Sequence, residues 1–321
     1  MNRPMQFLAA ALGLTLGVTL AHAQSSVKRP VRVLVPAAPG GPADTMIRVL
    51  APRMSAALGQ VLVVDNRPSN NGVAGTEIAA RALPDGYTIL TGNSGTHAIN
   101  DTLYRKLPYD PVRDFVAVSQ MITTGMVLVA NPKVPASSLP DLVALAKKQP
   151  GRLNVGIAGA TGQLAGDALW LQTKITMNNV HYKGSGPTEL ALVSGEIELS
   201  LLTPLASMSH INSGRLKAYG VTSSQRAPLL PNVPTLAEQG APGYDFQFWN
   251  GVFAPARTPE HAVRAVHKAV VYALQAPEVK ERITQLGFMS VGNSPEEFAT
   301  FVKSEVQKFR KIIIESGIPL L

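Results

Sequence analysis

No cysteine occurs among the 321 residues of the sequence. Disulfide frameworks, thiol nucleophiles, zinc ribbons and iron–sulfur clusters all depend on cysteine, so the sequence excludes each of them. Aromatic residues are scarce at 6%, and charged residues make up only 16% against 45% hydrophobic residues. That balance is typical of a folded globular protein rather than a disordered one, and the length predicts two domains or one large α/β unit.

Charge of one sign is in modest excess and is spread along the chain. The 29 Lys and Arg against 21 Asp and Glu give a formal charge of +8. A positive charge of this size is compatible with binding to nucleic acid, a membrane surface or small anions. The densest basic stretch, Lys303 to Lys311, lies on a helical pattern without an aromatic stacking platform. We therefore predict a solvated helix face there and no nucleic-acid partner.

Long hydrophobic runs are missing except at the N-terminus, where Phe7 to Leu20 is interrupted only by glycine and threonine. Arg3 precedes this run and Ala21-His22-Ala23 follows it, which is the pattern of a secretory signal peptide over residues 1–23, cleaved after Ala23. A membrane anchor is the alternative, but the run is shorter than the roughly 20 residues that a spanning helix needs. We predict a soluble protein exported to the periplasm.

Strand-like and helix-like segments alternate along the rest of the chain. Val31 to Val35 is followed by the amphipathic stretch Ala43 to Leu58, and the same rhythm continues through a second set that begins near Met126. The chain returns to a strand-like segment after Gly243, and a long helical pattern at 295–315 closes it. This alternation predicts parallel, doubly wound sheets, and no repeat of 20–50 residues indicates a solenoid.

Three glycine-rich turns join a strand to a helix, at 39–44, 92–97 and 156–162. Open parallel sheets bind ligands at the carboxyl ends of their strands, and glycine there lets an anion approach the free N–H groups of a helix N-terminus. Simple loop shaping remains the alternative for the first turn, and helix capping for Ser94 and Thr96 in the second. His97 is a possible titrating contact or a structural residue.

Catalytic and metal-binding patterns are absent from the sequence. There is no nucleophile elbow, zinc-protease motif, phosphate loop or dinucleotide fingerprint, and the six histidines lack metal-ligand spacing. The carboxylate pairs Glu196/Glu198 and Glu296/Glu297 fit exposed surface positions. We therefore predict no metal and no cofactor, and binding rather than catalysis, with a periplasmic hydrolase or isomerase as the least favoured alternative.

Motifs in order along nearly the whole mature chain resemble those of one family, the Bug periplasmic substrate-binding proteins of tripartite tricarboxylate transporters. The matching segments are Val35-Pro36 with Pro39 to Asp44, Val64 to Pro68, Pro84 to Thr88, Leu107 to Pro111 with Asp114-Phe115, His181 to Gly184, Leu230 to Glu238 and Pro255 to Pro259.

The resemblance implies a two-lobed α/β periplasmic binding fold of type II-like architecture. Each lobe would be a mostly parallel sheet flanked by helices, and the lobes would close on a ligand in the cleft between them like a Venus flytrap. Lobe 1 would comprise residues 24–125 plus 245–321, and lobe 2 residues 126–244.

The resemblance also implies that the protein captures a small organic carboxylate and delivers it to the membrane subunits of the transporter. A sensor that signals to a membrane histidine kinase is the alternative. We expect the protein to be a monomer. Carried over position by position, the ligand-binding residues would be Pro36, Ala38, Gly40, Gly41, Asp44, Ser94, Gly95, Thr96, Gly159, Ala160, Thr161, Gly162 and Thr203. Gln163 stands where family members commonly have histidine, so the ligand's identity does not carry over.

Overall fold

The computed structural model describes residues 29–321 apart from positions 159, 183, 184 and 318. The predicted signal peptide and its cleavage site lie outside the described residues. The strands are β1 (Val31–Val35), β2 (Leu62–Asn66), β3 (Thr88–Asn93), β4 (Phe115–Gly125), β5 (Val127–Ala130), β6 (Asn154–Ile157), β7 (Asn178–His181), β8 (Leu199–Leu202), β9 (Lys217–Val221), β10 (Gln247–Pro255) and β11 (Met289–Ser290).

Helices flank these strands throughout the described chain. They are α1 (Pro42–Leu58), α2 (Val73–Ala80), α3 (Asn100–Leu103), α4 (Leu139–Lys148), α5 (Ala160–Thr173), α6 (Ser185–Ser194), α7 (Pro204–Asn212), α8 (Glu260–Gln275), α9 (Pro277–Gln285) and α10 (Pro295–Glu315). A 3-10 turn, Asn70–Gly72, precedes α2, and a π-helical segment, Gly95–Ile99, precedes α3. Within the described residues, no helix combines the length and the apolar character that crossing a bilayer requires.

The strands form two sheets, in agreement with the α/β fold predicted from the sequence. One has the order β11-β4-β10-β3-β1-β2, and the other has the order β7-β6-β8-β5-β9. The first sheet draws its strands from residues 31–125 and 247–290, and the second from residues 127–221. The exact lobe boundaries at 125/126 and 244/245 stay a prediction.

The expectation of mostly parallel sheets is wrong, because both sheets are mixed. In the first sheet β1 runs parallel to β2 and β3, while β10 runs antiparallel to both β3 and β4. In the second, β6 is parallel to β7 and β8, whereas β5 is antiparallel to β8 and β9. The topology explains the difference. β4 carries the chain out of the first sheet and β10 brings it back, so the two strands lie side by side in opposite directions.

Strand β1 shows how the core is built on the first sheet. Val33 and Val35 belong to an apolar cluster with Met46 of α1 and Val270 of α8. Leu34 points to the opposite face, since successive side chains of a strand alternate, and it belongs to a second cluster that continues under α10 into the second sheet. Both faces of β1 are therefore buried, as in other central parallel strands.

The chain segments that connect the two sheets are joined by hydrogen bonds at Thr222. Thr222 and Met126 exchange two hydrogen bonds: the Met126 N–H donates to the Thr222 hydroxyl at 2.7 Å, and the Thr222 N–H donates to the Met126 carbonyl at 2.8 Å. The Thr222 hydroxyl donates to the Phe246 carbonyl at 2.7 Å, and the Phe246 N–H donates to the Thr222 carbonyl at 2.8 Å. One buried residue thus links the outgoing chain, the end of β9 and the returning chain.

Candidate ligand-binding site

A cavity of about 390 Å³ opens where the three parallel strands of the first sheet end. The loops after β1, β2 and β3 supply most of its wall, and the first turn of α5 from the second sheet and a residue of β10 complete it. The lining residues are Pro36, Ala37, Ala38, Ser69, Asn71, Gly72, Asn93, Gly95, Thr96, Ile99, Asn100, Leu103, Thr161 and Phe248. This position obeys the rule that α/β sheets bind ligands at the carboxyl ends of their strands.

The loop after β1 is held in shape by the carboxylate of Asp44. This buried group accepts hydrogen bonds from the Gly40 N–H at 2.9 Å, from Asn66 Nδ2 at 3.0 Å and from Arg48 Nε at 2.9 Å. Burial alone would raise the pKa of Asp44, but these three donors outweigh it and hold the pKa below its usual value. The N–H of Gly40 is thereby already bonded, and neither Gly40 nor Asp44 lines the cavity.

The turn after β3 is closed by a reciprocal pair of hydrogen bonds between Asn93 and Thr96. The Asn93 N–H donates to the Thr96 hydroxyl at 3.0 Å, and the Thr96 N–H donates to Asn93 Oδ1 at 3.0 Å, in the manner of a capping box. Tyr109 donates from its hydroxyl to the Thr96 carbonyl at 2.8 Å. Ser94 is fully buried, and its hydroxyl has no hydrogen-bond partner among the described residues.

His97 lies behind this turn in a wholly buried aromatic setting. Its ring stacks on Phe253 at 3.8 Å between centroids, meets Phe115 edge-on at 4.8 Å, and places Nδ1 2.9 Å from the Thr96 hydroxyl. Burial lowers the pKa of His97 to about 3, so its imidazole is neutral at physiological pH. Gly92 is required beside it, because a Cβ there would come within 2.5 Å of both the His97 and Phe253 rings.

The loop after β2 closes the third side of the cavity, and sequence reasoning did not assign it to the site. Gly72 has φ +72, and a Cβ on it would lie 2.8 Å from Thr96 Cγ2 and 3.0 Å from the Pro36 carbonyl oxygen. Asn71 has φ +49, and its carbonyl accepts from Asn100 Nδ2 at 2.9 Å. The available signal is the Ser-Asn-Asn-Gly sequence two residues after β2, since β2 is parallel to β1 and ends at the same edge of the sheet.

The second sheet contributes through α5. Thr161 lines the cavity, whereas Gly162 is buried and does not, and a Cβ on Gly162 would lie 3.5 Å from Met126 Cε. Helix α5 begins at Ala160, whose side chain the structure does not describe. Gly159 lies outside the described residues. Thr203 is exposed, and its hydroxyl accepts from the Ala206 N–H at 3.3 Å as the cap of α7.

Five of the residues predicted from the sequence therefore line one cavity: Pro36, Ala38, Gly95, Thr96 and Thr161. The described residues of the predicted set that do not line it are Gly40, Gly41, Asp44, Ser94, Gly162 and Thr203. For Gly159 and for the side chain of Ala160, which the structure does not describe, the prediction stays untested. The lining residues that the sequence did not indicate are Ala37, Ser69, Asn71, Gly72, Asn93, Ile99, Asn100, Leu103 and Phe248.

The chemistry of the wall is neutral. None of the described lining residues is charged, and three asparagines and two threonines alternate with the apolar surfaces of Ile99, Leu103 and Phe248. Within the described residues, no group of three histidine or acidic side chains could hold a metal ion. A ligand here would meet amide, hydroxyl and backbone dipoles as well as hydrocarbon.

Comparison with known proteins identifies the family of the chain. Residues 46–318 match the family described as Tripartite tricarboxylate transporter family receptor. The chain belongs to this receptor family. As such it is a solute-binding protein and not an enzyme. The Bordetella pertussis protein BugT is 34% identical over 98% of this chain and 99% of its own length.

Solved structures of similar proteins share the receptor's fold. R. palustris Rpa4515, solved with adipate, is 32% identical with a TM-score of 0.77, and the match covers 92% of the receptor and 99% of that chain. MatC from Rhodopseudomonas palustris, solved with bound malate, is 32% identical with a TM-score of 0.73 and covers 89% of the receptor and 99% of that chain. The periplasmic binding protein BugD is 32% identical with a TM-score of 0.73, and the match covers 91% of the receptor and 99% of that chain. The predicted periplasmic binding protein fold is thereby confirmed.

Proposed function

We propose that the receptor captures a small organic carboxylate in the cavity at the ends of β1, β2 and β3. The observation that carries this proposal is a cavity of about 390 Å³ in which three loops present hydroxyl and amide groups to one ligand-sized space. Adipate and malate, the molecules bound by two similar proteins, support the choice of a carboxylate.

Uncharged donors are sufficient for an anion at this place. Hydrogen bonds to a charged group contribute about 1.5–3 kcal/mol each, and a micromolar dissociation constant requires about 8.2 kcal/mol in total. A few such bonds supply most of that free energy. Burial of the ligand's hydrocarbon against Ile99 and Leu103 supplies the rest, at about 25 cal/mol per Å² of apolar surface. The net positive charge of the chain adds only a general attraction for anions.

Delivery to the membrane subunits of a tripartite tricarboxylate transporter is the second part of the proposal, and membership of the receptor family supports it. The two lobes, residues 24–125 with 245–321 and residues 126–244, would close on the ligand because the closed state makes contacts that the open state lacks. Thr161 reaches the cavity from the second sheet, as such a closure requires.

The place of action would be the periplasm, reached through cleavage of the signal peptide after Ala23. The protein would act there as a monomer without a nucleic-acid partner. N-terminal sequencing of the exported protein checks the cleavage site, and size-exclusion chromatography checks the monomeric state.

A thermal-shift panel of adipate, malate, citrate, benzoate and glutamate tests the carboxylate proposal. A ligand at a hundredfold excess over its dissociation constant adds about 2.7 kcal/mol to the free energy of unfolding, which raises the melting temperature by several degrees. We expect at least one acid to do so in the wild type and not in Thr96→Val. Failure of every acid to raise the melting temperature would refute the proposal.

A further inference from the structure

Two hydrogen bonds at Asn71 attach the loop after β2 to the α3 side of the cavity wall. Asn100 Nδ2 donates to the Asn71 carbonyl at 2.9 Å, and Asn71 Nδ2 donates to the Tyr104 hydroxyl at 3.0 Å. Asn71 and Asn100 both line the cavity, whereas Tyr104 lies behind the lining. Asn71 therefore joins two parts of the wall that come from different loops of the chain.

The backbone of the loop after β2 restricts how this contact can move. Asn71 has φ +49, a left-handed conformation that asparagine and glycine adopt more readily than other residues. Gly72 follows with φ +72, and a Cβ on it would lie 2.8 Å from Thr96 Cγ2 and 3.0 Å from the Pro36 carbonyl oxygen. The loop is thus packed closely against its neighbours where it meets the cavity.

The α3 side of the contact is held from behind by Leu321. The Leu321 N–H donates to the Leu103 carbonyl at 2.8 Å, and the Arg105 N–H donates to the Leu321 carbonyl at 2.9 Å. Tyr104 lies between the two residues that bond to Leu321, so backbone hydrogen bonds on both sides fix its position. The side chain of Asn71 therefore bonds to a partner that is itself held in place.

We propose that Asn71 is a specificity-determining residue that limits the length of the ligand, and that Tyr104 is a positioning residue that holds the Asn71 side chain. The inference rests on the proposed function, since it concerns a carboxylate in the same cavity. Ile99 and Leu103 supply aliphatic surface to this wall, against which a hydrocarbon chain would be buried. The bonds at Asn71 close the gap between the loop and α3, so a longer chain cannot extend between them. The ligand class is therefore a short-chain aliphatic carboxylate.

Titration calorimetry with the α,ω-dicarboxylates from succinate to sebacate tests this limit. We expect the wild type to bind the shorter acids and to lose at least tenfold in affinity from one chain length onward. Tyr104→Phe removes only the hydroxyl that holds Asn71, and Asn71→Gly removes the side chain but keeps a residue that accepts the positive φ. In both variants the first rejected acid should bind about tenfold more tightly than it binds the wild type, and the shorter acids should stay within about threefold.

Asn70→Gly is the matched control, because Asn70 is also exposed but does not line the cavity, and this variant should keep the wild-type chain-length profile. A shift in Asn71→Gly alone would overturn the positioning role of Tyr104. An unchanged profile in both test variants, or an equal loss of affinity for every acid, would overturn the length limit and leave the proposed function standing. A wild type that binds none of the series, or all of it equally, would also overturn the limit, and the thermal-shift panel then shows whether carboxylate binding itself fails.

Discussion

Single residues in this receptor divide into those that present groups to the cavity and those that hold the loops in place. Thr96 belongs to the first kind, and Asp44 to the second, because its carboxylate is already bonded to Gly40, Asn66 and Arg48. Both residues sit in glycine-rich turns, and both were predicted from the sequence as ligand contacts. Loops have no periodicity, so sequence alone does not show which side chains face a ligand.

Gly72 gives the sharpest residue-scale prediction. Gly72→Ala forces a left-handed conformation on alanine and drives its Cβ into Thr96 and Pro36. We expect a loss of stability of more than about 2 kcal/mol together with at least tenfold weaker carboxylate binding. Gly151→Ala is the matched control. Gly151 has φ +71 and open space around it, so this substitution costs only the strain of the left-handed conformation. Chemical denaturation and calorimetry compare the two, and equal effects would contradict a steric role for Gly72.

His97 predicts a pH-dependent stability. Its pKa is about 3 in the folded protein against 6.5 for the ordinary group, so between these values the unfolded chain binds a proton that the folded one does not. Stability is therefore fully present above pH 6.5 and falls as the pH is lowered toward 3, by up to about 1.4 kcal/mol per pH unit.

Urea unfolding of the wild type and His97→Phe at pH 7, 5.5 and 4.5 measures how much His97 contributes to the pH dependence of stability. The wild type should lose more stability than the variant at each step down. His261→Gln, a change at an exposed histidine, should follow the wild type. Parallel curves for wild type and His97→Phe would show that the buried ring is not what titrates.

At the scale of elements, the π-helical segment Gly95–Ile99 depends on one distant hydroxyl. Tyr109 donates to the Thr96 carbonyl at 2.8 Å and accepts from Asn100 Nδ2 at 3.3 Å. Tyr109→Phe should cost about 1–3 kcal/mol, because buried polar groups lose their partner, and should weaken ligand binding because the segment carries Thr96.

Tyr219→Phe is the matched control for that substitution. Tyr219 is also buried and donates from its hydroxyl to a backbone carbonyl, that of Ala136, at 3.1 Å, but it belongs to the second sheet and does not line the cavity. Loss of this hydrogen bond in Tyr219→Phe should lower the melting temperature and leave the dissociation constant of the ligand unchanged. If Tyr109→Phe behaves in the same way, the segment does not position the ligand.

Elements with a strong local signal were predictable from the sequence. The last helix was predicted at 295–315 and is found there, fixed by a capping box in which Ser294 accepts from the Glu297 N–H and Glu297 accepts from the Ser294 N–H. Strand β4 was not predicted, because its buried positions include Ser119, Gln120 and Thr124, which break the apolar pattern. Polar groups there find partners only in the folded sheet.

At the scale of the whole molecule, the alternation of strands and helices correctly predicts an α/β protein with two sheets. It does not predict that β10 returns antiparallel between β3 and β4, since that pairing joins residues 122 to 163 positions apart. The loop after β2 reaches the cavity for the same reason, through long-range packing of Gly72 against Pro36 and Thr96. Local sequence signals located the strand ends, and tertiary contacts decided which of them meet.

The measurement that tests carboxylate recognition most directly is isothermal titration of the mature receptor with the acid that gives the largest thermal shift, in parallel with the primary amide of the same acid. A neutral, donor-rich cavity predicts one-to-one saturation by the acid and at least tenfold weaker binding of the amide, a difference of about 1.4 kcal/mol. Equal affinity for acid and amide, or no saturation by the acid, would contradict a carboxylate-binding receptor.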